Sequence, residues 1–201
     1  MRGRSPAGLV GASSRRGALD APDRGGGRVS TGGADRLVVV VSHHGSEVID
    51  SDRPHRDGTR NVGGRRVLEL LLRFDNVVLW LNGHTHTHAI RPRADPSGPG
   101  PGLWEVTTAS VIDWPCQARL IELFTAGPRV LGIASTMVDH DSPLDPGAAG
   151  TAAEMAALHR ELAANAPWAG FESPLPGTPP DRNAVMTRPV GFALEPLTLG
   201  G

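Results

Sequence analysis

The sequence predicts an α/β fold, and three observations carry that reading. Two short runs, Leu37–Val41 and Val77–Leu81, are wholly apolar and largely β-branched, the composition of strands covered on both faces. Between them Val67, Leu70, Leu71 and Phe74 recur at helical spacing and form one apolar stripe. Each run ends in histidine: His43 and His44 after the first, His84, His86 and His88 after the second. Strand, loop, helix, strand is a βαβ unit, so both histidine groups should leave the sheet at one edge. That edge is where open α/β sheets bind ligands.

The elements follow in order. Residues 1–34 are rich in Gly, Arg and Ser without apolar periodicity, and read as a disordered leader. Arg15–Arg16 is followed by no apolar stretch, which argues against an export signal. Ser46–Gly63 is a polar loop, Gly64–Phe74 a helix, and Asp75–Asn76 its stop. Arg91–Gly102 reads as a Pro/Gly loop. Trp104, Val106 and Thr108 alternate with Glu105 and Thr107 as a half-buried strand. Ala118–Phe124 and Val130–Val138 flank Ala126-Gly127-Pro128 as a hairpin. Ala148–Ala164 is an Ala-rich helix with Met155, Leu158 and Leu162 on one face. From Pro167 the chain is Pro-rich and expected to lie extended on the surface. The domain reading is therefore a leader over 1–34, a folded unit over 35–166 and an extension over 167–201.

Composition limits the function. The 201 residues carry a net charge of −1 and contain no lysine, which gives no electrostatic case for nucleic acid or an anionic membrane. No apolar run reaches the roughly 18 residues of a membrane span, and a cytoplasmic location is the default expectation. Cys116 is the single cysteine, so no disulfide forms within the chain, and a metal site must use nitrogen and oxygen donors. Five of the eight histidines sit at the two strand ends, and neutral imidazole is the commonest metal ligand. His43, His84 and His86 are the candidate ligands, with His44, Asn82, His88 and His140 around them. His140, between Asp139 and Asp141, reads either as a plain polar strand end or as a ring oriented by a carboxylate. His55 and His159 read as solvent-facing, Trp80 and Trp104 as packing. Asp50, Asp52 and Asp57 read as a solvated acidic loop.

GHTH at Gly83–His86, preceded by VVVVSHHG and followed by TTASVIDWP at Thr107–Pro115 and GTPPDRNAVM at Gly177–Met186, resembles the second half of the calcineurin-like metallophosphoesterases. The resemblance covers roughly Asp35 to Met186. It implies a two-sheet β-sandwich flanked by helices, of which this chain holds the C-terminal half. It implies two divalent ions (Mn, Fe or Zn) and attack of hydroxide on the phosphorus of a phosphate-ester substrate. His43 and His84 would then bind one ion and His86 the other. His44 is a neighbour, Gly45 stands where the family usually has Pro, and His88 has no ligand role and belongs at the rim or surface.

The family's first-half motifs are absent from this sequence: Asp-x-His, the Gly-Asp whose carboxylate bridges the ions, and Gly-Asn-His. The resemblance therefore implies an incomplete two-metal site, little activity from this chain alone, and pairing with a separate N-terminal half. A half-sandwich should expose an apolar face and be poorly soluble. The other reading is a non-catalytic metal-binding fragment. Amidohydrolases also carry His-x-His, but too little chain follows His86 for a (β/α)₈ barrel. Metallo-β-lactamase-like sites want Asp-His after His-x-His, and Ala89-Ile90 follows His88 instead.

Overall fold

A computed structural model describes residues 36–49, 57–59, 62–94, 100–170 and 172–194. The leader expected over 1–34, together with Asp50, Asp52 and His55, lies outside these residues. The chain is α/β, with two sheets, two α-helices and a short 3-10 helix at Pro179–Asp181 among the described residues. Its elements are β1 (Val38–Val41), α1 (Gly64–Leu71), β2 (Val77–Asn82), β3 (Ala89–Arg93), β4 (Leu103–Thr107), β5 (Ala118–Gly127), β6 (Val130–Val138), α2 (Ala152–Ala164) and β7 (Ala184–Pro189).

The first sheet has the order β1-β2-β4-β3. β1 and β4 both run parallel to β2, and β3 is antiparallel to β4. The second sheet, β5-β6-β7, is antiparallel throughout. Val78, Leu79 and Val106 of the first sheet meet Leu131, Ile133 and Met186 of the second in one buried cluster. Val77, Trp80 and Leu103 form a second cluster under Val67, Leu68, Leu71 and Leu72 of α1 and its C-terminal cap. The order is thus helix, mixed sheet, antiparallel sheet. Each fully buried Leu or Ile contributes about 1.5–3 kcal/mol through the water it sheds.

The βαβ unit forms as the runs predicted, with three differences in detail. β1 is not buried on both faces. It is the outer strand of its sheet among the described residues, with Val38 37% and Val41 57% exposed. The helix turns Leu68 rather than Leu70 to the core, and Leu70 is exposed. Helix α1 ends at Leu71, short of the expected Phe74.

Four further expectations are corrected. Ala89–Arg93 within the expected loop is a strand, and Pro92 is tolerated there because β3 is an edge strand. Glu105 points inward and is 3% exposed, because Arg93 and two histidine-bearing loops neutralise and bond it. Among the described residues, the segment after Pro167 is not all surface extension. It carries β7, whose Arg188 is buried and donates to the carbonyls of Gly102 (2.6 Å) and Asp75 (2.8 Å), tying the two sheets together. Helix α2 docks through its small residues Ala157 and Ala163, which leaves Met155 and Leu162 61% and 63% exposed.

Candidate metal site

Both histidine loops are set by the parallel pairing of β1 and β2, which places Val41 opposite Leu81. The pairing continues past the strands: Ser42 N–H donates to the Leu81 carbonyl (3.0 Å), and Gly83 N–H to the His43 carbonyl (3.1 Å). Trp80 does more than pack. Its indole N–H donates to Ser42 Oγ (2.7 Å), and that hydroxyl donates onward to the His44 carbonyl (2.7 Å). A buried aromatic residue thereby fixes the course of the first histidine loop.

The result is a group of three imidazoles, His43, His44 and His84, each offering one ring nitrogen, all within 4.8 Å of one another. His84 Nδ1 and His43 Nε2 lie 3.0 Å apart. The His44 and His84 ring centroids are separated by 4.1 Å. A tetrahedral ion with bonds of about 2.0–2.1 Å holds its donors ~3.3 Å apart. One pair already meets that spacing, and the exposed side chain of His44 has freedom to close the rest. Loss of solvation, followed by the charges of His44, His43 and His86, holds the His84 pKa below the ordinary imidazole value. The neutral form that binds metal is therefore favoured. The imidazole-only donor set fits a borderline divalent ion such as Zn or Fe better than a hard, oxygen-preferring ion such as Mg, Ca or Mn.

Of the expected ligands, the structure brings His43 and His84 together, adds His44, and leaves His86 outside the group. The reason lies in the backbone. His84 and His86 do not alternate on an extended strand, since both have positive φ (64° and 56°). A non-glycine residue in that region costs about 1–2 kcal/mol, and such strain is typical of functional segments. The left-handed turns send successive histidines different ways. His86 Nδ1 bonds Asp113 Oδ2 in the loop between β4 and β5. His88 is 1% exposed, not a rim residue: its Nδ1 accepts from Ala109 N–H (3.1 Å) and Arg119 Nη2 (3.0 Å). His140 follows β6 beside Asp139 and Arg160, apart from the three-histidine group.

Beneath the histidines lies a group that sequence reasoning missed. Glu105 of β4 accepts from Ser46 N–H (2.7 Å), Ser46 Oγ (2.6 Å), Asn82 Nδ2 (3.0 Å) and Arg93 Nε (2.7 Å). Asn82 also accepts from Thr107 Oγ1 (2.7 Å). One buried carboxylate therefore holds the residue that follows His44-Gly45 and the residue that precedes Gly83-His84. Acceptor-only carboxylates gain most from donors of this kind, and Arg93 supplies the opposite charge. The one sequence signal was an acidic residue in a predicted strand with Arg93 a short hairpin away.

Burial, with Arg119 and Arg182 nearby, pulls the His88 pKa down to about 4, outweighing Gln117 and Asp181, which act the other way. The folded protein thus binds this proton less readily than the unfolded chain, whose histidine titrates near 6.5. Stability from His88 is complete above about pH 6.5 and is lost as pH falls toward 4, by about 2–3 kcal/mol. Urea unfolding at pH 7 and pH 4.5 should show that loss. His88→Gln, which can still accept but cannot titrate, should show a smaller one. Equal pH dependence of the two proteins would remove His88 as its source.

No protein-family model matches this chain, and no curated protein matches it.

Proposed function

We propose that this chain binds a divalent transition-metal ion through His43, His44 and His84, and that the chemistry of the site is metal-dependent hydrolysis of phosphoric esters. The observation that carries the first part is the convergence of three imidazole nitrogens within 4.8 Å from the ends of two adjacent parallel strands. A bound divalent ion supplies Lewis acidity, lowering the pKa of water and polarising a phosphoryl oxygen. The chain's own residues do the rest. His43, His44 and His84 hold the ion, Asn82 and Glu105 fix their loops, and Trp80 sets the turn at Ser42. The resemblance of GHTH and the upstream VVVVSHHG to metallophosphoesterases supplies the phosphoric ester as substrate class.

A second reading is a metal-binding protein without turnover. It is favoured by the composition of the group, which is imidazole only. No carboxylate joins the three nitrogens among the described residues. Calorimetric titration of the metal-free chain with Mn²⁺ and Zn²⁺, run beside p-nitrophenyl phosphate turnover, separates the readings. Wild type should bind at least one equivalent, and His84→Ala should lose both binding and turnover. Binding without turnover selects the second reading, and absence of binding overturns both.

A further inference from the structure

We infer that the open edge of β5 is an interaction surface, and that its occupant is β5 of a second copy of this chain, paired antiparallel across a two-fold axis. Among the described residues the two sheets have four outer strands, β1, β3, β5 and β7. An open edge is a row of unpaired N–H and C=O groups, which proteins blunt by shortness, proline, charge or a bulge. β1 is blunted by length, being four residues long. β3 and β7 carry Pro92 and Pro189, which have no N–H to give an added strand. Along Ala118–Phe124, β5 is regular in register, free of proline and part of a ten-residue strand. Of its two charges, Arg119 is engaged within the molecule, donating to Ser135 Oγ of β6 and to the Asp181 carbonyl (2.8 Å). Glu122 alone stands on the outer row.

The pattern of that row selects the occupant. Exposure alternates along β5: Ile121 and Leu123 pack toward the core, and Ala118, Leu120, Glu122 and Phe124 face outward. Leu120 and Phe124 remain 49% and 39% exposed. A two-fold axis at Glu122 would set that carboxylate directly against its own copy, which destabilises a strand pair. An axis at Leu123 would draw in the stretch where the register shifts between Thr125 and Gly127. An axis at Ile121 uses the regular stretch alone. It sets Leu120 opposite Glu122 of the second copy and Ala118 opposite Phe124, small against large, each pair occurring twice by symmetry. No like charges meet, and the two three-stranded sheets become one continuous sheet. The contact closes on itself, because each copy uses the same edge. It is independent of the metal reading, since the three histidines leave β1 and β2 of the other sheet.

Sedimentation equilibrium of the full chain over a micromolar concentration series tests this. Wild type should show monomer and dimer and nothing larger. Leu120→Glu creates two like-charged pairs with Glu122 and should raise the dimer dissociation constant by about tenfold. Leu120→Lys places opposite charges there and should leave the constant unchanged or lower it. Combining Leu120→Glu with Glu122→Lys should restore the wild-type constant. Both positions are exposed in the single chain, so these variants should melt as wild type does. If Leu120→Glu fails to fold, Leu120→Lys combined with Glu122→Lys supplies the same like-charged pairs with the sign reversed and should weaken pairing equally. Monomer at every concentration overturns the proposal. An equal response to Glu and Lys at position 120 overturns it too, since association would then run through the apolar face and not through paired edges. Assemblies larger than a dimer overturn the two-fold closure.

Discussion

Glu105→Gln is expected to destabilise the chain by about 3–5 kcal/mol, the cost of leaving one member of a buried, bonded charge pair unmatched. Glu105 takes hydrogen bonds from Ser46, Asn82 and Arg93 at 2.6–3.0 Å while 3% exposed. Glutamine replaces one acceptor oxygen with an amide that can only donate, so it faces donors on at least one side. Arg93 would keep Glu47 at 2.7 Å, an exposed partner worth far less. Urea unfolding measures the loss directly. Zn²⁺ affinity should fall with it, because Ser46 and Asn82 border the two histidine loops. A change below about 1 kcal/mol would show that solvent or rearrangement already satisfies these donors.

Gly45→Ala is the second large effect. A Cβ at this buried position would sit 2.7 Å from the Asn82 side-chain amide. That amide cannot step aside freely, since Glu105 and Thr107 hold it from both ends. Overpacking of this kind costs about 1–3 kcal/mol. Here it also pushes the first histidine loop off the second, so Zn²⁺ binding should weaken. Asn82→Ala in the Gly45→Ala background should recover part of the stability by removing the clash. The close approach gives a local reason for glycine at position 45. Full stability in Gly45→Ala would mean the two loops are not in tight contact.

The βαβ unit and its histidine edge were legible because their signal is local. VVVV and VVLWL need no partner to read as strands, and parallel pairing of β1 with β2 follows from the helix between them. What stayed hidden depends on partners far along the chain. Alternation put Glu105 outward. Its burial rests on Ser46 and Asn82, 59 and 23 residues away. β3 was masked by Pro92, which only the edge position permits. β7 does alternate, with Met186 and Arg188 buried. An arginine on the core-facing side concealed that period. Helix α2 starts at Ala152 and not at the expected Ala148, because Thr151 and Glu154 form a capping box there. For the site, residue type pointed to the right edge. The left-handed turns at His84 and His86 then decided which rings meet, and nothing in the residue order announces them.

One consequence of the outermost position of β1 concerns how tightly the site can hold anything. Two of the three donors hang from that strand, which has a neighbour on one side only among the described residues. Edge segments open more often than interior ones, and each opening of β1 would withdraw His43 and His44 together. Measured affinity would then carry the fraction of time the edge is closed, a discount on the intrinsic affinity of the assembled site. Occupancy and fraying become a single linked equilibrium. The amide protons of Val39 to Val41 are the gauge, and Zn²⁺ should slow their exchange far more than that of Val78 and Leu79 next door.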